Sequence, residues 1–273
     1  MLLRYFQQRS SAKVPAATAS GRPRTKTRKV SPRAVDPIAR QLHNTKRFLM
    51  RTRRRVYGLR SFIPGMRLRH QLESLVGPLG FWDQLQRYQL ELLLANGLQP
   101  THSLLDIGCG PLQGGVAFIR YLESSQYVGV DIDPVRGSAA HMQVARHGLS
   151  SKNPTLLISS NFGDEELGAR KFDFFWASQI LYYFDNEKLA SLLAFIRKRL
   201  NRNGKFLGDI YGSRHYEFKY PESNVVLHSV ETIQRLAKVQ GLRARPLGEI
   251  VQYGYPKRLS LHSNLLIEIT LDQ

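Results

Sequence analysis

Twelve residues constrain this chain more than any others. Leu104-Leu105-Asp106-Ile107-Gly108-Cys109-Gly110-Pro111-Leu112-Gln113-Gly114-Gly115 carries an apolar strand straight into a glycine turn and on into helix-compatible sequence. Glycines in such a turn let backbone N–H groups approach a bound nucleotide or amino-acid moiety, and a helix N-terminus behind it favours an anionic group. Asp106 narrows the reading. A carboxylate at the buried end of a strand is costly unless a cationic or hydrogen-bonding partner uses it, and the ammonium of a bound amino-acid group would be such a partner. A dinucleotide fingerprint would place its third glycine one position earlier than Gly114, which disfavours a nicotinamide cofactor.

A second apolar run, Tyr127-Val128-Gly129-Val130, ends in Asp131-Ile132-Asp133-Pro134. Asp131 lies 23 positions after Gly108, close to the spacing of roughly 20 at which an acidic residue accepts hydrogen bonds from ribose hydroxyls. Asp133 before Pro134 reads instead as a helix cap. Downstream, strand-like and helix-like runs alternate: Ser103–Ile107 then Gly114–Leu122, Tyr127–Val130 then Ser138–His147, Thr155–Ser159, Phe172–Ala177 then Glu187–Leu200, and Lys205–Ile210 then Val230–Gln240. Repeats of this kind predict an α/β fold, doubly wound around a mostly parallel sheet. Two β-prone runs, about Ala244 to Val251 and His262 to Leu271, have no helix between them and are expected to form an antiparallel hairpin at the sheet edge. Upstream, Phe81 to Asn96 has helical spacing, with Gly97 as its C-cap.

Leu105-Asp106-Ile107-Gly108-Cys109-Gly110, followed by Gly129-Val130-Asp131-Ile132-Asp133, resembles the class I S-adenosylmethionine-dependent methyltransferase family over about residues 71 to 273. The resemblance implies a seven-stranded sheet with an antiparallel C-terminal edge strand. It implies S-adenosyl-L-methionine as the methyl donor, its ammonium near Asp106, with Gly108, Cys109, Gly110, Asp131 and Ile132 around it. The family places an adenine-binding position after the third strand, often an acid after a glycine. Here Asn161 and Phe162 stand there, an amide for the adenine amino group and a ring for packing. Ser178 to Tyr183 follow the fourth strand, where the family lines the donor pocket and admits the acceptor; Ser178 is the residue assigned to the donor. Many small-molecule members carry a histidine near the place of Tyr183. Tyr182 or Tyr183 is expected to orient an acceptor hydroxyl; on or beyond the fifth strand Asp209, Tyr211, His215, Tyr216, Tyr220 and His228 are candidates, with His215 the first choice of general base. No metal cluster is visible: the histidines are scattered and the single cysteine, Cys109, lies in the glycine turn.

Charge divides the chain in two. Residues 1 to 70 hold 19 of the 40 Lys and Arg and one of the 21 acids, Asp36, leaving 21 bases against 20 acids downstream. The body is therefore nearly neutral and the basic N-terminal arm, disordered and then helical by its composition, carries the field. Such an arm suits nucleic acid or an anionic membrane surface. Its Arg-rich, acid-poor composition also matches a transit peptide, which would direct the protein to mitochondria or plastids rather than the cytoplasm. No apolar run approaches the roughly 20 residues of a spanning helix. The preferred acceptor is oxygen on a small molecule or glycan, because the body is neutral. An RNA methyltransferase gripping phosphate through the arm, and a non-catalytic binding module, are the alternatives. Oligomeric state is not legible.

Overall fold

The structure is a computed structural model that describes residues 63, 66–213, 218–219, 225–260 and 264–272. The expectations for the basic arm up to residue 62, and for His215, Tyr216 and Tyr220, lie outside these residues.

Two helices, α1 (Arg67–Val76) and α2 (Trp82–Ala95), precede the first strand. Then follow β1 (Leu104–Ile107), α3 (Gly115–Tyr121), β2 (Tyr127–Asp131), α4 (Pro134–Arg146), β3 (Thr155–Ile158), β4 (Phe172–Ala177) and α5 (Asn186–Arg199). The chain closes with β5 (Leu200–Ser213), β6 (Phe218–Lys219), β7 (Val226–Ser229), α6 (Val230–Val239), β8 (Leu242–Glu249) and β9 (Asn264–Leu271).

Strands β3-β2-β1-β4-β5 lie side by side in parallel. The order reverses direction in the chain between β1 and β4, where α/β sheets open a crevice at the strands' C-terminal ends. All four residues of β1 and all five of β2 are buried, as a strand covered on both faces requires. The expected hairpin forms at the sheet edge: β9 runs antiparallel to β5, and β8 pairs antiparallel on its other side. The antiparallel C-terminal strand is thus the inner member of the edge pair and β8 the outer. Inserting it shields two rows of apolar residues, Ile267 and Ile269 pairing with Gly208 and Phe206. β5 is longer than its apolar centre announced, and its far end pairs in parallel with β7, which pairs antiparallel with β6.

Caps explain where the helices begin. The Asp133 carboxylate accepts from the Val135 N–H at 2.8 Å with Pro134 in the first turn, so α4 starts four residues before the expected Ser138. Asp185 caps α5 and Ser229 caps α6 in the same way, accepting from the N–H groups of Lys188 and Thr232. The main core lies on the α5 and α6 side of the sheet: Phe175, Phe206 and Ile210 pack with Leu192, Leu193 and Ile196 of α5 and with Ile233 and Ala237 of α6. The opposite face carries Asp106, Trp176 and Asp209. Helix α2 covers it, the Trp176 indole N–H donating to Gln89 Oε1 at 3.0 Å.

Candidate functional site

The glycine turn closes over the ends of β1 and β2. Gly108 and Gly110 both have left-handed φ, +74° and +54°, a conformation that L side chains adopt at a cost. A Cβ at Gly108 would stand 2.8 Å from Ile180 Cγ2, and one at Gly110 3.1 Å from Val76 Cγ1. The turn is therefore roofed by the segment after β4 and by the end of α1. The backbone donors have local uses: the N–H groups of Gly108 and Cys109 both reach the Val130 carbonyl, at 2.7 and 3.1 Å, and the Gly110 N–H donates to Asp131 Oδ2 at 2.9 Å. This corrects the expectation that these amides are held out for a ligand. Four residues of turn separate the glycines from α3, and α3 is only seven residues long, so a helix N-terminus is not what the turn presents.

Asp131 is the hub of the turn. The Asp133 N–H donates to its Oδ1 at 2.9 Å while Gly110 holds Oδ2, and Arg136 Nη1 stands 4.0 Å away. Two backbone donors orient the carboxylate and leave lone pairs for a further pair of hydroxyls. Asp106 is buried one strand over, and the Tyr127 hydroxyl donates to its Oδ2 at 2.7 Å. Among the described residues Tyr127 is the one hydrogen-bond donor to this carboxylate. Burial, added to by the nearby Asp131 charge and only partly offset by the Tyr127 hydrogen bond, pushes the Asp106 carboxyl up to about 7. Burial and the two carboxylates likewise push the Cys109 thiol well above its ordinary value. Its side chain fills the space beside Gly129, which makes it a packing group rather than a nucleophile.

The remaining predicted residues divide. Ile132, just past β2, is 61% exposed. Asn161 is exposed, and its carbonyl accepts from Ser159 Oγ at 2.6 Å, which leaves one lone pair and the amide hydrogens available. Phe162 has a different place from the one expected. Its ring is buried in the core against Phe184 and Phe195, with the Lys188 ammonium 4.5 Å above it, so it is not presented for packing on a ligand. Tyr183 is 59% exposed beyond β4. Its ring lies against Tyr182, which stacks on Tyr211 with centroids 4.1 Å apart. Ser178 is half-buried and its side chain hydrogen-bonds to Asp209.

That last contact belongs to an arrangement that sequence reasoning did not assemble. Asp209, fully buried on β5, accepts from the Gln179 N–H at 2.8 Å and from the Gln179 side-chain amide as well as from Ser178. The Tyr255 hydroxyl donates to Gln179 Oε1 at 3.1 Å. Burial pushes the Asp209 carboxyl up to about 7 against the pull of these hydrogen bonds. Tyr127 was also missed, although its place at the head of β2, in register with β1, brings it beside Asp106. Among the described residues no group of three or more His, Cys, Asp or Glu is placed to hold a metal ion, and no helix is long and apolar enough to cross a membrane.

Residues 105–206 match a family model described as a methyltransferase domain. No curated protein sequence matches the chain. Among solved structures, magnesium protoporphyrin IX methyltransferase from Synechocystis PCC 6803, with S-adenosylmethionine bound, is similar at 14% identity. The match covers 82% of this chain and 95% of that one, with a TM-score of 0.52. An S-adenosylmethionine-dependent methyltransferase from Clostridium acetobutylicum ATCC 824 is 15% identical over 76% of this chain and 98% of its own, with a TM-score of 0.54. A third, the CcbJ methyltransferase from Streptomyces caelestis, is 13% identical over 71% and 97%, with a TM-score of 0.53. At such identities the likeness is one of fold.

Proposed function

We propose, for a chain that carries a class I S-adenosylmethionine-dependent methyltransferase domain, that it binds S-adenosyl-L-methionine at the Asp106 to Asp131 cleft and methylates oxygen on a small molecule or sugar. The observation that carries the donor assignment is the pair of buried carboxylates, one with unused acceptor capacity and one pre-oriented by backbone donors, on either side of a turn whose glycines leave no room for side chains. The residues fit the donor. Asp106 would take the ammonium, Asp131 the ribose hydroxyls, Ile132 one face of the adenine and Asn161 its polar edge.

When bound, the donor supplies a sulfonium methyl group open to nucleophilic displacement. The protein's part is largely positional, because aligning two reactants in a cleft that excludes water removes much of the barrier. Ile180 lies against Gly108 and closes over the turn. Tyr183, exposed beyond β4, is the residue proposed to orient an acceptor hydroxyl, and His215, following β5 in the chain, is the proposed base for its proton.

The near-neutral charge of the body supports a small acceptor. A second reading, transfer to RNA held by the basic arm, is favoured by the 19 Lys and Arg of residues 1 to 70. Methyl transfer from labelled donor to a panel of hydroxylated small molecules, glycans and RNA, repeated across a salt series, separates the two. Transfer to RNA should fall steeply with salt as counterions compete for phosphate, whereas transfer to a neutral acceptor should change by less than about twofold. Product only on RNA, lost at high salt, would overturn the small-molecule reading.

A further inference from the structure

The hydrogen-bond cluster at the C-terminal ends of β4 and β5 has a shape that the donor assignment does not use. Gln179 is not glycine, yet its φ is +58°, a conformation that costs a side-chain-bearing residue roughly a kcal/mol or more and persists only where its surroundings impose it. Asp209 imposes it. One carboxylate oxygen accepts from the Gln179 backbone N–H at 2.8 Å and the other from the Gln179 side-chain amide, so main chain and side chain are gripped together. The Tyr255 hydroxyl closes the far side of the amide at 3.1 Å. On either side of Gln179 stand the residues that matter for the cleft: Ser178, bonded to the same carboxylate, and Ile180, whose side chain lies against Gly108.

We propose that Asp209 is a positioning residue for donor binding: its ionised carboxylate holds Ser178 and locks Gln179 in the left-handed conformation, and so presses Ile180 onto the glycine turn. This rests on the donor assignment above and adds a control element to it. Only the carboxylate accepts all three donors at once. A protonated carboxyl must itself donate, to the Ser178 hydroxyl or to a Gln179 amide turned oxygen-inward, and either way one of the three bonds accepted by the ionised form is given up. The titratable side chains that face Asp209 are Tyr88 on α2, Tyr182 on the turn after β4, Tyr211 on β5 and Tyr255 beyond β8. None of these is cationic, so nothing among them substitutes for the Gln179 grip in holding the carboxylate ionised. The grip accordingly loosens as pH falls through the neutral range, where the buried carboxyl takes up its proton.

The test is a double-mutant cycle read by calorimetric titration with S-adenosylhomocysteine. Asp209→Asn should weaken binding about tenfold at about pH 8, while in a Gln179→Gly background, where the left-handed conformation needs no enforcement, the same change should cost only about twofold. Equal losses in the two backgrounds would show that Asp209 acts by packing alone and overturn the proposal, as would unchanged affinity in Asp209→Asn. Wild-type protein that binds no S-adenosylhomocysteine would instead overturn the donor assignment. Should Asp209→Asn not fold, Gln179→Gly alone decides. Its affinity must fall less steeply than wild type between about pH 8 and about pH 6, and an identical slope would contradict the proposal.

Discussion

Asp106 is the residue on which the donor reading turns, and its protonation makes that reading measurable. Its folded value of about 7 stands above the ordinary carboxylate value of 3.8. The folded state therefore binds the proton more tightly than the unfolded state. The stability contributed by Asp106, and by Asp209 for the same reason, is full below about pH 4 and is lost as pH rises through about 7. Tm of the free protein should decline over that window, and Asp106→Asn should flatten the decline. A ligand ammonium favours the ionised form, so donor binding near pH 7 should release protons. Titration in buffers of different ionisation enthalpy reads that release directly, and Asp106→Asn should reduce it, leaving the part that Asp209 contributes. Gly110 supplies a steric counterpart. Gly110→Ala meets Val76 in a left-handed turn and should lower stability by about 1 to 2 kcal/mol in a urea melt. Asp106, Asp131 and the glycines were legible because a strand, a turn and a carboxylate at fixed spacing have a local cause. Phe162 was misplaced because its position after β3 says nothing about which way the ring points, and Phe184 and Phe195, remote in sequence, decide it.

Among the elements, the parallel order of the strands followed from alternation of apolar runs with helices, and α4, α5 and α6 each begin at a side-chain cap, whereas α1, α2 and α3 begin without one. What could not be read was where β9 inserts. Strand pairing is settled by which apolar rows meet, Ile267 and Ile269 against β5, and not by the hairpin's own sequence. The Asp209 cluster was hidden for the same reason, since Gln179, Asp209 and Tyr255 sit on three segments that only the sheet brings together. One long-range tie can be tested by itself. Arg199 at the end of α5 is buried, and its guanidinium donates to the Asp164 carboxylate and to the carbonyls of Asp164, Gly168 and Arg170, anchoring α5 to the loop after β3. Arg199→Ala leaves three carbonyls without that partner. It should cost about 3 kcal/mol, the low end for a broken buried pair because Asp164 is partly open to water, measured as a shift of the denaturation midpoint at unchanged slope.

For the molecule as a whole, charge is divided in two: a nearly neutral body with two buried carboxylates, Asp106 and Asp131, and an N-terminal stretch of high positive charge, the proposed contact for polyanions. Deleting residues 1 to 60 should therefore leave donor affinity within about twofold and weaken retention on heparin or RNA at low salt, an effect that vanishes at high ionic strength. The central claim is that the Asp106 to Asp131 cleft binds an adenosyl amino acid. It is met most directly by calorimetric titration of the full chain with S-adenosylmethionine and S-adenosylhomocysteine, beside Asp131→Ala and with NAD as control. Micromolar binding of both adenosyl ligands, lost by at least about tenfold in Asp131→Ala and absent for NAD, is the expected result. Folded wild-type protein that binds neither ligand, or an Asp131→Ala variant that binds them as well as wild type, would contradict it.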